Sequence, residues 1–383
     1  MKMKSRAILF RIGGLGDLLV ALPSISLVRR SLPGFSLSLA GRPEYGGLLE
    51  RAGLVDEVLS FEDARMAALF VRDAVFGATG GAGATAGGAS DPRVDEKGKT
   101  RKMGNTILDG FELAVGWLNR PGHWPADDWW AGQGIERALF VPYKNGAAVP
   151  MSRFFFDRTR DFLNAYGIKF RVAGIVSSAG AVEASAASRD FAADATDTSA
   201  FDPAASDPDR LFDDCARLPL PGDLRKKALA GLRLRELGKS EKRLVVHPGS
   251  GGRAKRWPLP SFVEVIRRAA SLGLGGVLVT GEAEADLEAP LQAFSLPAGW
   301  TRASRLPADT LAGLLAGSTH YLGNDSGPTH LAAACGASVL ALFREDNLPA
   351  WRPFGRARLM AAPSMPEIPL DSVLAALDDL LNE

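Results

Sequence analysis

Cysteine is nearly missing from this 383-residue chain, which holds only Cys215 and Cys335. The two are far apart and lack metal-type spacing, so a disulfide framework and a thiolate metal site are excluded, and a reducing compartment is expected. No stretch approaches the roughly 20 consecutive apolar residues of a membrane helix. The basic start, Met1 to Arg6, leads into an apolar run, Ala7 to Ile12, broken by Arg11. That run is too short for a signal-peptide core and continues into a turn, so it reads as a first strand. Neither sign of charge dominates: Lys and Arg total 45, Asp and Glu 44, for a net charge of +1. Such a balance argues against nucleic acid as a partner. A soluble cytoplasmic protein is expected, and peripheral contact with the inner membrane is compatible with it. Two phosphate fingerprints are also missing. After Gly14 and Gly16 the third glycine of a dinucleotide fingerprint would fall at Leu19, and no Gly-Lys-Ser/Thr follows.

Hydrophobic residues at 46% and charged residues at 23% are globular values, and the length suits two domains. The first half alternates strand and helix patterns: strands over Ala7–Ile12, Phe35–Ala40 and Val55–Phe61, helices over Leu18–Leu32, Arg42–Ala52 and Ala64–Phe76. This βαβαβα order is that of a parallel, doubly wound sheet. Low-complexity stretches over about 77–104 and 179–209 can bury little and read as insertions. Between them, strand character over Ile107–Leu118 and Glu136–Val141 precedes an amphipathic helix, Met151–Tyr166. Trp117, Trp124, Trp129 and Trp130 crowd a loop-like stretch and read as a local apolar cluster rather than a sugar platform. Leu218–Gly222 and the basic helix Asp223–Leu237 read as an inter-domain connection. A second α/β unit follows. Its strands are expected over Arg243–His247, Gly276–Thr280, Thr319–Leu322 and Ser338–Phe343. Its helices are expected over Leu259–Leu272, Glu282–Phe294, Thr310–Ala316, His330–Cys335 and Leu370–Leu381. Two such halves leave a cleft between the carboxyl ends of their sheets, where ligands of these folds bind.

Four stretches carry chemistry. Gly13-Gly-Leu-Gly-Asp17 is a glycine-rich strand-to-helix turn. It lets a ligand approach the backbone, and Asp17 is either an N-terminal helix carboxylate or a general base facing the cleft. His247-Pro-Gly-Ser-Gly-Gly-Arg-Ala-Lys-Arg256 brings loop N–H groups together with Arg253, Lys255 and Arg256. That set suits a diphosphate, lysine as a point charge and arginine as a bidentate clamp; His247 reads as structural. Thr280 to Asp286 puts Glu282 and Glu284 at a strand end, as dipole-favoured acids or as partners for ribose hydroxyls. Gly323-Asn-Asp-Ser-Gly-Pro-Thr-His330 is a turn whose helix can seat phosphate on its first N–H groups. Asp325 would repel phosphate, so it should face sugar hydroxyls while Ser326 takes phosphate. Together these features predict nucleotide-sugar chemistry.

The same stretches resemble the ADP-heptose:lipopolysaccharide heptosyltransferase family, glycosyltransferase family nine. The resemblance rests on Ile12–Asp17 with Leu22-Pro23, His247–Ser250, Lys255–Pro258, Gly281–Glu284 and Gly323–Ala334. It implies an α/β GT-B fold of two Rossmann-like domains whose parallel sheets face a central cleft. The domains would span 1–217 and 243–366, joined by 218–242, with 367–383 forming a helix that crosses back to the first. It implies an inverting, metal-independent enzyme without a cofactor, moving heptose from an ADP-sugar to a hydroxyl of a glycolipid or glycan acceptor of the lipopolysaccharide-core type. It also implies roles: Asp17 and Lys255 as the catalytic pair, and Gly13, Gly14 and Gly16 as the acceptor-side loop. Donor contacts fall to Ser250, Gly251, Arg256, Glu282, Glu284, Asn324, Asp325, Ser326, Gly327, Thr329 and His330. A transferase for another nucleotide sugar or acceptor, and a non-catalytic nucleotide-sugar-binding partner, are the alternatives.

Overall fold

Continuous apolar runs bounded by glycine become buried parallel strands, and the computed structural model shows two such sheets. It describes residues 5–63, 66, 107–108, 110–118, 130–131, 134–135, 137–142, 149–165, 208–231 and 242–382. The helix expected over 64–76 (Met66 apart) and the insertions over 77–104 and 179–207 lie outside the described residues, as do Trp124 and Trp129.

In the first half, β1 (Arg6–Phe10), α1 (Leu15–Val20), α2 (Leu22–Ser31), β2 (Ser36–Gly41), α3 (Pro43–Arg51) and β3 (Glu57–Ser60) alternate as the pattern predicts. Then come β4 (Leu113–Leu118), β5 (Arg137–Pro142), α4 (Met151–Ala165), α5 (Pro208–Ala216) and α6 (Gly222–Gly231). The described strands of the first sheet run in the order β3-β2-β1-β4-β5, all parallel. Residues of β1 alternate between faces. Ala7 and Leu9 join the cluster under α1, α2 and α4, while Ile8 and Phe10 join Phe111 and Trp130 on the other face. Trp130 stacks on Phe140 at 4.6 Å, and Trp117 is fully buried with its indole N–H on Thr159 at 3.1 Å. These two tryptophans are therefore core, not a sugar platform.

The second half contains β6 (Arg243–His247), a 3-10 turn over Arg253–Lys255, α7 (Leu259–Ser271), β7 (Gly275–Thr280) and a 3-10 segment over Glu282–Leu287. It continues with α8 (Glu288–Ala293), β8 (Trp300–Ser304), α9 (Ala308–Ala316), β9 (His320–Asn324) and α10 (Gly327–Ala334). It ends with β10 (Ser338–Arg344), α11 (Leu348–Trp351), β11 (Ala357–Ala362) and α12 (Leu370–Asn382). The sheet order is β11-β10-β9-β6-β7-β8, again all parallel.

Several boundaries differ from the sequence reading for identifiable reasons. The single helix expected over Leu18–Leu32 is two, because the Ala21 N–H closes on Leu18 rather than on Asp17 four residues back. The helix expected over Glu282–Phe294 starts as a 3-10 segment: Glu284 leaves helical geometry (φ −105°, ψ 21°) as its carboxylate reaches back to the Gly281 N–H. Gly323 and Asn324, read as turn, belong to β9, and strand character over 107–112 reduces to a strand beginning at Leu113. Pro208 and Asp209, assigned to the second insertion, start α5. The edge strands β8 and β11 were not expected. The terminal helix packs on the second half. Its buried face, Val373, Leu377 and Leu380, completes the core of the second domain with Phe262 and Trp257, and Arg268 of α7 clamps Asp378 at 2.6 Å.

The two halves meet closely. Apolar side chains under α1 and α2 and those under α9 and α10 form one continuous cluster. A Cβ on Gly16 of α1 would sit 3.4 Å from the Gly327 Cα of α10. Arg51 of α3 pairs with Asp309 of α9.

Candidate active site

The site assembles where β6 and β9 end side by side, with His247 opposite Gly323. Asn324, fully buried, staples the two strand ends. Its Oδ1 accepts the Trp257 N–H at 3.0 Å, and its Nδ2 donates to the carbonyls of Pro248 (2.8 Å) and Gly249 (3.2 Å). Thr329, also buried, donates its hydroxyl to the Asn324 carbonyl and lies 3.1 Å from both Tyr321 OH and Ser326 Oγ. Both residues are scaffold: their polar groups are engaged by protein.

Asp325 and Lys255 are the open pair. Lys255 Nζ lies 2.8 Å from Asp325 Oδ2, and Asn347 donates to the same oxygen at 2.7 Å. The ends differ in exposure: the Asp325 side chain is 6% accessible and that of Lys255 38%. Ser250, one of the donor contacts that the resemblance implied, donates to the Asp325 carbonyl at 2.7 Å and fixes the loop on the strand end. Gly251 and Glu282 stand exposed at the rim.

Arg256 is not a free phosphate clamp in this structure. Its guanidinium reaches Asp286 at 2.9 and 3.0 Å, the Ala283 carbonyl at 2.7 Å and the Ser250 carbonyl at 3.2 Å. Asp286 is held below the ordinary aspartate value by that hydrogen bond. Glu284 also points inward. One carboxylate oxygen accepts the Gly281 N–H at 2.7 Å and lies 3.6 Å from His247 Nε2. Gly249 is glycine because a Cβ there would fall 2.1 Å from the Glu284 carboxyl carbon. Burial works to raise the Glu284 carboxyl. The hydrogen bond and charge of His247, the Gly281 amide and Arg256 outweigh it and hold the group below its ordinary value.

At the start of α10, Ser326 occupies the cap position without a side-chain bond to the helix amides. It lies instead 3.4 Å from His247 Nδ1. The helix opening therefore presents its dipole to the cleft without a carboxylate cap. His330, one turn along, is 3% exposed and its Nδ1 has no hydrogen-bond partner among the described residues. Burial pushes its imidazole below the ordinary histidine value, against the pull of Asp325 and Asp17 and with the push of Lys255. The shift favours the neutral ring.

Across the domain junction, Asp17 sits in the first turn of α1, with its side chain 23% accessible. Its Oδ2 accepts the Gly14 N–H at 2.9 Å, and its Oδ1 meets Arg11 Nη2 at 3.2 Å. Gly13 has φ +136°, and a Cβ there would lie 2.5 Å from Asp17 Oδ2. The loop thus needs glycine both for its backbone and for the carboxylate folded over it. The structure brings together Asp17, His330, Asp325, Lys255, Ser326 and Gly327, and turns Arg256, Glu284, Asn324 and Thr329 inward. Sequence reasoning missed Asn347 and Arg11; an arginine inside an otherwise apolar strand was the one visible signal.

Residues 182–365 match the model of glycosyltransferase family 9 (heptosyltransferase). The chain carries a domain of this heptosyltransferase family. No curated protein matches it. Among solved structures, a glycosyl transferase family 9 protein from Veillonella parvula DSM 2008 superposes with a TM-score of 0.64 at 14% identity, over 100% of this chain and 99% of that one. The E. coli ADP-heptose lps heptosyltransferase II gives 0.62 at 15% identity, over 98% of each. The E. coli heptosyltransferase WaaC with ADP gives 0.54 at 13%, over 98% of this chain and 99% of that one. At such identities the likeness is one of fold, a GT-B-like pair of parallel-sheet domains, and the family domain makes the chain a glycosyltransferase. Among the described residues no helix is long and apolar enough to cross a membrane.

Proposed function

We propose that this glycosyltransferase is inverting and metal-independent, and moves a heptose from an ADP-sugar to a hydroxyl of a lipopolysaccharide-core-type acceptor. The observation that carries the reading is the abutment of α1 and α10 through Gly16 and Gly327. It sets a carboxylate of the first domain against the phosphate-type helix start and the Lys255–Asp325 pair of the second. Asp17 takes the proton of the acceptor hydroxyl as that oxygen attacks the anomeric carbon. The bond from the anomeric carbon to phosphate oxygen breaks, and ADP leaves with the electron pair. Lys255 and the α10 N-terminus offset the charge that develops on the diphosphate, which is the role a metal would otherwise fill. Before donor binds, Lys255 is paired with Asp325. Donor exchanges that pair: sugar hydroxyls donate to Asp325, and Nζ turns to phosphate.

WaaC and heptosyltransferase II, which share the fold, are described with ADP and as an ADP-heptose enzyme, which supports the choice of donor. The acceptor is a glycolipid, so the protein works peripherally at a membrane face. The test is thermal stabilisation by a panel of nucleotide sugars, since a ligand at about 100 times its Kd stabilises by about 2.7 kcal/mol. Selective stabilisation by ADP-heptose, lost in Asp325→Ala, is expected. Selective stabilisation by a different nucleotide sugar would overturn the heptose assignment and leave the transferase.

A further inference from the structure

Arg11 is 2% exposed at the carboxyl end of β1, and burying a guanidinium is costly unless its donors are satisfied. Burial lowers it to about 10, so it remains charged at neutral pH. Two of its nitrogens reach Asp17. Nε donates to the Asp17 carbonyl at 2.6 Å and Nη2 to Asp17 Oδ1 at 3.2 Å. Nη1 donates to the Trp117 carbonyl at 2.7 Å, and the guanidinium carbon lies 5.5 Å from the centroid of the Phe155 ring.

The helix break explains why the Asp17 carbonyl is available. In an unbroken helix it would accept the Ala21 N–H, but that group goes to Leu18. A helix interrupted one turn after its start therefore exposes a carbonyl, and Arg11 occupies it with the same fork that reaches the carboxylate. The opposite carboxylate oxygen, Oδ2, accepts the Gly14 N–H at 2.9 Å. Each oxygen of Asp17 is thus held by a separate donor from the segment that joins β1 to α1, and the backbone of Asp17 is held as well.

We propose that Arg11 is a positioning residue for the transfer reaction, fixing the Asp17 carboxylate in the rotamer that meets the acceptor hydroxyl. The proposal rests on the reading of Asp17 as the base. It differs from a purely structural tie between β1, β4 and α1, which would support folding and donor binding equally.

The test uses the full chain, with ADP release from ADP-heptose in the presence of heptose-deficient lipopolysaccharide. In Arg11→Met, kcat falls about 10- to 100-fold, the scale of an ångström misplacement of a reacting group. The KM for ADP-heptose and the thermal shift given by ADP stay at wild-type values. Arg11→Lys, which keeps the charge but not the fork, recovers part of kcat and carries the comparison should the methionine variant not fold. In an Asp17→Asn background, Arg11→Met changes the residual rate by less than about twofold, because residues acting as a unit are non-additive. Equal losses in the two backgrounds, or a loss of the ADP shift in step with kcat, would overturn the proposal alone. A wild-type kcat in Asp17→Asn by itself would overturn the base reading as well.

Discussion

Replacing Asp325 by asparagine separates the two ligand roles that share one carboxylate. Asp325 Oδ2 takes Lys255 at 2.8 Å and Asn347 at 2.7 Å. Asparagine keeps the shape but removes the charge. Breaking a fully buried ion pair costs about 3–5 kcal/mol. Here Lys255 is more than a third exposed, so solvent recovers much of that and a loss of about 1–2 kcal/mol in stability is expected. Ligand binding should split by ligand. Hydrogen bonds to a charged acceptor contribute about 1.5–3 kcal/mol, so ADP-heptose binding should weaken about 10- to 150-fold. ADP lacks the heptose whose hydroxyls are assigned to Asp325. Releasing Lys255 from its competitor should leave ADP affinity unchanged or make it a few-fold tighter. Isothermal titration of both ligands against both proteins reads the difference. A parallel loss for ADP and ADP-heptose would refute the division of labour between Lys255 and Asp325.

Three further outcomes follow from the geometry. In Gly13→Ala the new Cβ would meet Asp17 Oδ2 at 2.5 Å from a φ of +136°. kcat should drop about 10- to 100-fold while ADP still stabilises the protein; a wild-type kcat would show that the Asp17 rotamer is immaterial. Glu284 is held below its ordinary value of 4.5, so its charge stabilises the fold above that pH and the contribution is lost as pH falls through the lowered folded value. Glu284→Gln should therefore unfold at lower denaturant than wild type at pH 7, with the gap narrowing below pH 4.5; a gap constant with pH would contradict the assignment. Arg256→Lys loses the fork that ties Asp286, Ala283 and Ser250 together, so it should lower the melting temperature of the free enzyme; an unchanged value would place Arg256 at the ligand instead.

Much of the fold was legible because strand and helix periods were strong where both faces are buried, as in Arg243–His247, found at its expected bounds. The missed strands lie at sheet edges. Trp300–Ser304 carries Arg302 and Ala357–Ala362 carries Arg358, so neither shows a continuous apolar run. The helix break at Ala21 was invisible because the Asp17 carbonyl that it frees is taken by Arg11, a partner the local helix period does not show. In the site, the residue types were visible in the sequence but the direction of each side chain was not. Arg256 and Lys255 are adjacent in sequence, yet one closes on Asp286 and the other on Asp325. Glu284 is a candidate ribose partner from its place at a strand end, and its close packing under Gly249 depends on the fold rather than on local sequence. Asn347 gave no signal, since its partner is 22 residues away in a loop joined only by the fold.

Asp17, held at the domain junction against Ser326–His330, is proposed to remove the acceptor proton. The most direct measurement is single-turnover transfer of heptose from ADP-heptose to heptose-deficient lipopolysaccharide, by wild type and Asp17→Asn with donor saturating. The account predicts a rate about 10²- to 10⁴-fold lower in the variant, with unchanged ADP-heptose affinity and an inverted anomeric centre in the wild-type product. Transfer at the wild-type rate by Asp17→Asn, or a product that retains the donor configuration, would contradict it.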